Sequence, residues 1–165
     1  MRIPPRHLHL TALCAAALLA VGCSSPTSDN RPDDHPNGRS VGTTPSEVTA
    51  EREQWASHGV KSYEYDYTIG GGFFIVYADH PIHVVVRDGV VAAAADVETG
   101  EPLPGPLTFW PTIDTLYARA ARAAEAGTLL GLRVDSALGY PTEIDLAGPP
   151  DASGSLFASN LRALP

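Results

Sequence analysis

Lysine is almost missing from this chain: its 165 residues include one, Lys61, beside ten arginines. Basic residues are scarce altogether, with 11 Lys and Arg against 19 Asp and Glu and a formal charge of −8. That balance argues against a nucleic-acid partner, because phosphate backbones are gripped by a basic face. It argues equally against electrostatic docking on anionic lipid. Only two cysteines are present, Cys14 and Cys23. The sequence holds no Gly-x-Ser-x-Gly elbow, no His-Glu-x-x-His helix and no Rossmann glycine pattern after a strand. Gly70-Gly71-Gly72 is followed by Phe73, with no lysine or hydroxyl of a phosphate loop behind it. No catalytic residue, metal-ligand set or cofactor is therefore assigned. The 44% apolar and 18% charged residues are those of a globular chain, and the length suits one domain with a tail.

The first segment reads as an address. Arg2 and Arg6 make a short basic region, and Leu8 to Val21 is an apolar core too short for a comfortable membrane span. It ends in Leu19-Ala20-Val21-Gly22-Cys23-Ser24-Ser25. A small residue before a cysteine at the end of such a core resembles the bacterial lipobox, although Ala20 stands where leucine is preferred. The resemblance implies cleavage after Gly22 and diacylation of the Cys23 thiol. It places the protein on the cell membrane, lipid-anchored on the extracytoplasmic side. More than one acyl chain is needed for stable anchoring, and a lipoprotein carries them. Loss of residues 1–22 removes two arginines and takes the charge from −8 to −10. Cys14 leaves as well, so no disulfide is expected and the domain must hold by packing.

Residues 23–44 are mostly Ser, Pro, Asp, Asn, Gly and Thr with a single Val, and are expected to form a disordered tether. A flexible chain of that length spans roughly 25 Å. His35 within it reads as a solvated side chain.

The domain is expected at 45–165. Thr44-Pro45-Ser46-Glu47 is a capping box with proline at the first helical position. The helix it opens carries Val48, Arg52, Trp55 and Ala56 on one face and ends at Gly59. Tyr63, Tyr65, Tyr67 and Ile69 then alternate with Glu64, Asp66 and Thr68, the mark of a strand with one buried and one wet face. Phe73 to Tyr77 reads as strand, Ile82 to Arg87 as strand, and Asp88-Gly89 as a type I′ hairpin turn returning through Val90 to Val97. A two-residue loop sets Val86 opposite Val91 and Val84 opposite Ala93, with Ile82 and Ala95 on the same buried face. Thr112 caps a second helix with Ile113, Leu116, Tyr117, Ala120 and Ala124 along one side, ended by Gly127. Leu129 to Asp135 alternates with Leu130, Leu132 and Val134 inward, Gly139-Tyr140-Pro141 turns, and strands follow at 142–146 and 156–164. The expected fold is α+β: a single, mostly antiparallel sheet of about five to six strands packed by two helices, as in cystatin-like or PepSY-like architectures.

Over roughly residues 50–164 the chain resembles a group of uncharacterised bacterial lipoproteins that carry a domain of unknown function. The shared features are Trp55, the Tyr63-x-Tyr65-x-Tyr67 strand and Val84-x-Val86-Arg87-Asp88-Gly89-Val90. The helix from Ile113 and Gly139-Tyr140-Pro141 with Ile144-x-Leu146 complete the pattern. The resemblance implies a fold and a location; it implies no activity.

Weak binding candidates are His80, His83 and Tyr140. Asp79-His80-x-x-His83 offers imidazole and carboxylate, a set that suits zinc. On a regular strand, however, His80 and His83 point to opposite faces. Glu64 and Asp66 form a carboxylate pair two residues apart, where mutual repulsion raises a pKa unless the face is solvated. Two function classes follow. One is a non-catalytic binding module for an envelope protein or peptide, recognised at a sheet edge or face. The other is a small metal-dependent or hydrolytic envelope enzyme using His80 and His83.

Overall fold

The computed structural model describes residues 37–71, 80–148 and 153–165. The chain divides at Pro32 into two units, and the described residues belong to the second. The expected signal peptide, Cys23, the tether as far as residue 36 and the strand expected at Phe73 to Tyr77 lie outside the described residues.

The order of elements is β1 (Gly38–Val41), α1 (Pro45–Ser57), β2 (Tyr63–Gly71), β3 (Ile82–Arg87), β4 (Val90–Asp96), a 3-10 turn (Leu107–Phe109), α2 (Ile113–Glu125), β5 (Leu129–Asp135), β6 (Pro141–Leu146) and β7 (Gly154–Ala163). The fold is α+β. Among the described residues the sheet has seven strands, in the order β1-β5-β6-β7-β2-β3-β4, and all its pairs are antiparallel. The meanders β2-β3-β4 and β5-β6-β7 join where β7 lies against β2. The strand count exceeds the expected five to six. One addition is β1: Gly38–Val41, expected within the tether, pairs with β5 from Gly38↔Asp135 to Val41↔Leu132. Its four residues carry too little apolar character to announce a strand, and the pairing is made with a segment almost a hundred residues away.

Both helices start as their sequences dictate. The Thr44 hydroxyl accepts from the Glu47 N–H, and the Glu47 carboxylate accepts in return from the Thr44 N–H at 3.1 Å. Thr112 caps α2 by accepting from the Thr115 N–H at 3.2 Å. In α1 only Val48 and Trp55 are buried; Arg52 and Ala56, expected on the same face, are exposed. The helix turns Val48, Glu51 and Trp55 inward, at spacings of three and four residues, packs against α2 and touches the sheet where Trp55 meets Tyr63 and Arg39 meets Glu51. Glu51 is half-buried because Arg39 of β1 reaches it with two guanidinium nitrogens, one at 3.0 Å.

The core lies between the helices and one sheet face. Tyr63, Tyr65, Tyr67 and Ile69 of β2 all point into it, beside Ile82, Val84 and Val86 of β3. Trp55 meets Tyr63 edge to face, ring centroids 5.6 Å apart. The phenols reach polar partners at the rim of the core. Tyr63 Oη accepts from the Ile113 N–H at 2.9 Å, Tyr65 donates to the Pro111 carbonyl, and Tyr117 of α2 donates to the Gly139 carbonyl.

Two bulges shift the pattern that strict alternation predicts. Asp88 (φ 49°) and Gly89 (φ 79°) form the expected hairpin turn, and Val86 lies opposite Val91. Beyond that pair the register slips, so Val85 pairs with Ala93 and Val84 with Ala94. Ala92 is the extra residue, and it moves Ala94 rather than Ala93 or Ala95 into the core. In β5 a shift between Leu129 and Gly131 turns Leu130 outward, 63% exposed, and buries Leu129 instead.

The sheet edges are blunted. β1 is four residues long. At β4 the loop after the strand folds back, with Asp96 N–H donating to the Glu101 carbonyl and Leu103 N–H to the Ala94 carbonyl, each at 3.0 Å.

Candidate functional site

The residues that alternate outward from the core form the second face of the sheet. On β2 they are Glu64, Asp66 and Thr68, on β3 His83, Val85 and Arg87, and on β7 Phe157, Ser159 and Arg162. Glu143 and Asp145 of β6 and Arg133 of β5 continue the face toward β1. Antiparallel sheets commonly keep one face wet in this way.

The densest polar cluster sits where β3, β2 and β7 adjoin. Asp66 lies directly opposite His83, and its carboxylate Oδ1 is 2.9 Å from the imidazole Nδ1. The other oxygen, Oδ2, accepts from Asn160 Nδ2 at 2.8 Å. Asn160 has φ +55°, a left-handed conformation that Asn tolerates better than most residues. It lies in the bulge of β7 between the pairs made by Glu64 and Asp66. The bulge thus turns an amide side chain onto the Asp66 carboxylate.

One step along β2, Glu64 pairs with Arg162 in register, and the guanidinium holds Glu64 Oε1 through both Nε, at 2.7 Å, and Nη2. That hydrogen bond, reinforced by the charges of Arg162, His83 and Arg87, keeps the Glu64 carboxyl below its usual pKa. Each of the two carboxylates thus has its own donors, Arg162 for Glu64 and Asn160 for Asp66. Glu64 Oε2 faces His83 Nε2 at 3.8 Å. A second polar contact lies farther along the face, where the Ser155 hydroxyl donates to Asp145. Gly131 lies opposite Asp145, and a side chain there would press on it: a Cβ would come within 2.8 Å of Asp145 Oδ2.

The three sequence candidates separate. His83 is in the cluster. His80 is exposed, precedes β3 and lies on the side of Asp96, whose carboxyl is held low mainly by the Thr99 backbone N–H, with His80 a lesser influence. Tyr140 is 7% exposed and lies in the core, its pKa raised by burial and its hydroxyl hydrogen-bonded to the Leu161 backbone. Asn160 and Arg162 were not singled out from sequence. Their only local signal is polar residues at alternate positions of a final strand, and their partners lie 94 and 98 residues away.

Among the described residues, no three His, Cys, Asp or Glu side chains gather as a metal-holding group. No described helix is long and apolar enough to cross a membrane. The arrangement can hold one imidazole in a fixed orientation and present a row of alternating charges. No curated protein and no solved structure matches this chain. Residues 47–159, more than half of the chain and all of the polar cluster except Asn160 and Arg162, match a family of unknown function (DUF6174), and the chain belongs to that family.

Proposed function

We propose that the protein is an envelope lipoprotein, anchored through Cys23, whose α+β domain is a non-catalytic binding module that uses the polar face of its sheet. The observation that carries this reading is the asymmetry of the sheet. Both helices meet the face of Tyr63, Tyr65 and Tyr67, while the opposite face carries Glu64, Asp66, His83 and Arg162 in cross-strand contact. Strand addition is the less favoured mode, because β1 is short and the edge of β4 is taken up by Glu101 and Leu103. A protein or peptide of complementary alternating charge fits such a face, and charge complementarity gives specificity more than raw affinity.

The enzymatic alternative draws on the Asp66–His83 pair, an oriented imidazole of the kind that serves as general base. Its Nε2 lies 3.8 Å from Glu64 Oε2, and among the described residues no hydroxyl or thiol is hydrogen-bonded to the ring. The anchor is tested by fractionating cells that express the full chain and Cys23→Ala. Release of the variant to the soluble fraction is expected, and its retention in the membrane overturns the lipid anchor. In-cell crosslinking of the same two proteins tests the module: a reproducible partner captured only by the anchored form supports it.

A further inference from the structure

We infer that the occupant of the polar sheet face is a second copy of this chain, packed against it sheet to sheet. The inference deepens the reading of that face as the binding surface and rests on it. It starts from how charge is divided over the domain. The face holds three arginines, Arg87, Arg133 and Arg162, against four carboxylates, Glu64, Asp66, Glu143 and Asp145. The other described residues hold five Lys and Arg against ten Asp and Glu. Two copies of a chain with a formal charge of −8 repel each other in most orientations. This face is the nearly balanced part of the surface, and there the repulsion is least.

The signs also alternate from strand to strand. Across the sheet, β5 carries Arg133, β6 Glu143 and Asp145, β7 Arg162, β2 Glu64 and Asp66, and β3 Arg87 with His83. A two-fold axis parallel to the strands, between β7 and β2, sets β7 over the second copy's β2 and β6 over its β3. Each charged strand then faces one of opposite sign, as a self-complementary dimer contact requires. Arg162 and Glu64 are paired in register, so this axis also brings each over the other's counterpart. Phe157 and Thr68, likewise paired on β7 and β2, lie beside the axis and supply an aromatic centre to a charged surround. Glu64 and Asp66 enter the contact already hydrogen-bonded, so neither is buried as a lone charge. Seven strands about 4.8 Å apart, each contributing about six residues of about 3.3 Å, make a face of roughly 30 by 20 Å. Two such faces cover roughly 1,200 Å², the lower end of the range for specific interfaces.

The test replaces Phe157 or, separately, Thr68 by the photo-crosslinker benzoylphenylalanine in the full chain, in cells that also express a copy with a different tag. A product carrying both tags is expected from each position, and none from the same crosslinker at Glu53 or Arg122 on the helices. Arg87→Glu with Arg162→Glu leaves one arginine against six carboxylates on the face. It is expected to lower the doubly tagged product at least about tenfold, because like charges across a contact cost several kcal/mol. Circular dichroism reports whether that variant folds. Arg87→Glu alone keeps the Glu64–Arg162 pair and is expected to lower the product about threefold or more. Absence of a doubly tagged product at both Phe157 and Thr68 overturns the inference. If a different protein is captured there instead, only the second copy is refuted; if nothing is captured, the binding-surface reading falls with it. A doubly tagged product formed equally from Glu53 and Arg122, or unchanged by both charge reversals, overturns the inference as well.

Discussion

The phenol oxygen of Tyr63 accepts a hydrogen bond from the backbone N–H of Ile113 at 2.9 Å, so a residue of β2 satisfies the first turn of a helix fifty residues later in the chain. Helix N-termini leave their first N–H groups without partners, and a buried one is costly unless a side chain supplies an acceptor. Ile113 is fully buried, so water is not the alternative partner. Replacing Tyr63 by Phe keeps the ring against Trp55 and removes the hydroxyl, with its bonds to the Ile113 N–H and the Thr112 side chain. The expected loss is about 1–3 kcal/mol of unfolding free energy. Urea denaturation measures it, and an unchanged midpoint would show that the bond contributes nothing.

The tyrosine core sets the alkaline limit of the protein. Burial pushes the Tyr63 hydroxyl from 10.0 up to about 12, and Tyr65, Tyr67, Tyr117 and Tyr140 are raised for the same leading reason. A group whose folded pKa lies above its unfolded value stabilises the fold below the unfolded pKa and ceases to do so as pH rises through the folded one. Stability is therefore expected to hold to about pH 10, the unfolded tyrosine value, and then to fall. Tyrosinate absorbance should appear together with the loss of circular dichroism. Gradual ionisation of all tyrosines while the fold persists would contradict this.

The bulge in β4 makes a prediction that neighbouring alanines can decide. Ala94 is 4% exposed and faces the core, whereas Ala93 is exposed on the other side of the strand. Ala94→Glu would bury a charge without a partner and is expected to prevent folding or lower the melting temperature steeply. Ala93→Glu is expected to change stability by no more than about 0.5 kcal/mol. Equal effects at the two positions would restore the regular register and remove the bulge.

These alanines also show where sequence reading stops. The capping box at Thr44, the alternating tyrosines and the Asp88-Gly89 turn are local signals, and each appears where its chemistry requires. Local alternation cannot report a bulge, because the extra residue is chosen by cross-strand packing, and so Ala93, Ala95 and Leu130 were expected inward. It cannot report β1 either, since four residues of mixed character gain their strand geometry from β5. The polar cluster was half legible. Glu64, Asp66 and His83 could be noted from their positions on strands, yet the pairing that brings His83 to Asp66 is a matter of register. Asn160 and Arg162 reach the site only because β7 inserts beside β2, which no window of sequence records.

The central claim is that the polar sheet face of an anchored domain is its binding surface. Crosslinking in cells, with the partner identified by mass spectrometry, tests it most directly when charge reversals are compared on the two sides of the domain. Arg87→Glu and Arg162→Glu alter the open face; Glu53→Arg and Arg122→Glu alter exposed positions on α1 and α2. The account predicts a partner captured by the wild type and by both helix variants, and lost with both sheet-face variants. Capture that survives the sheet-face reversals and fails with the helix reversals would contradict it and move the binding surface to the other side of the fold.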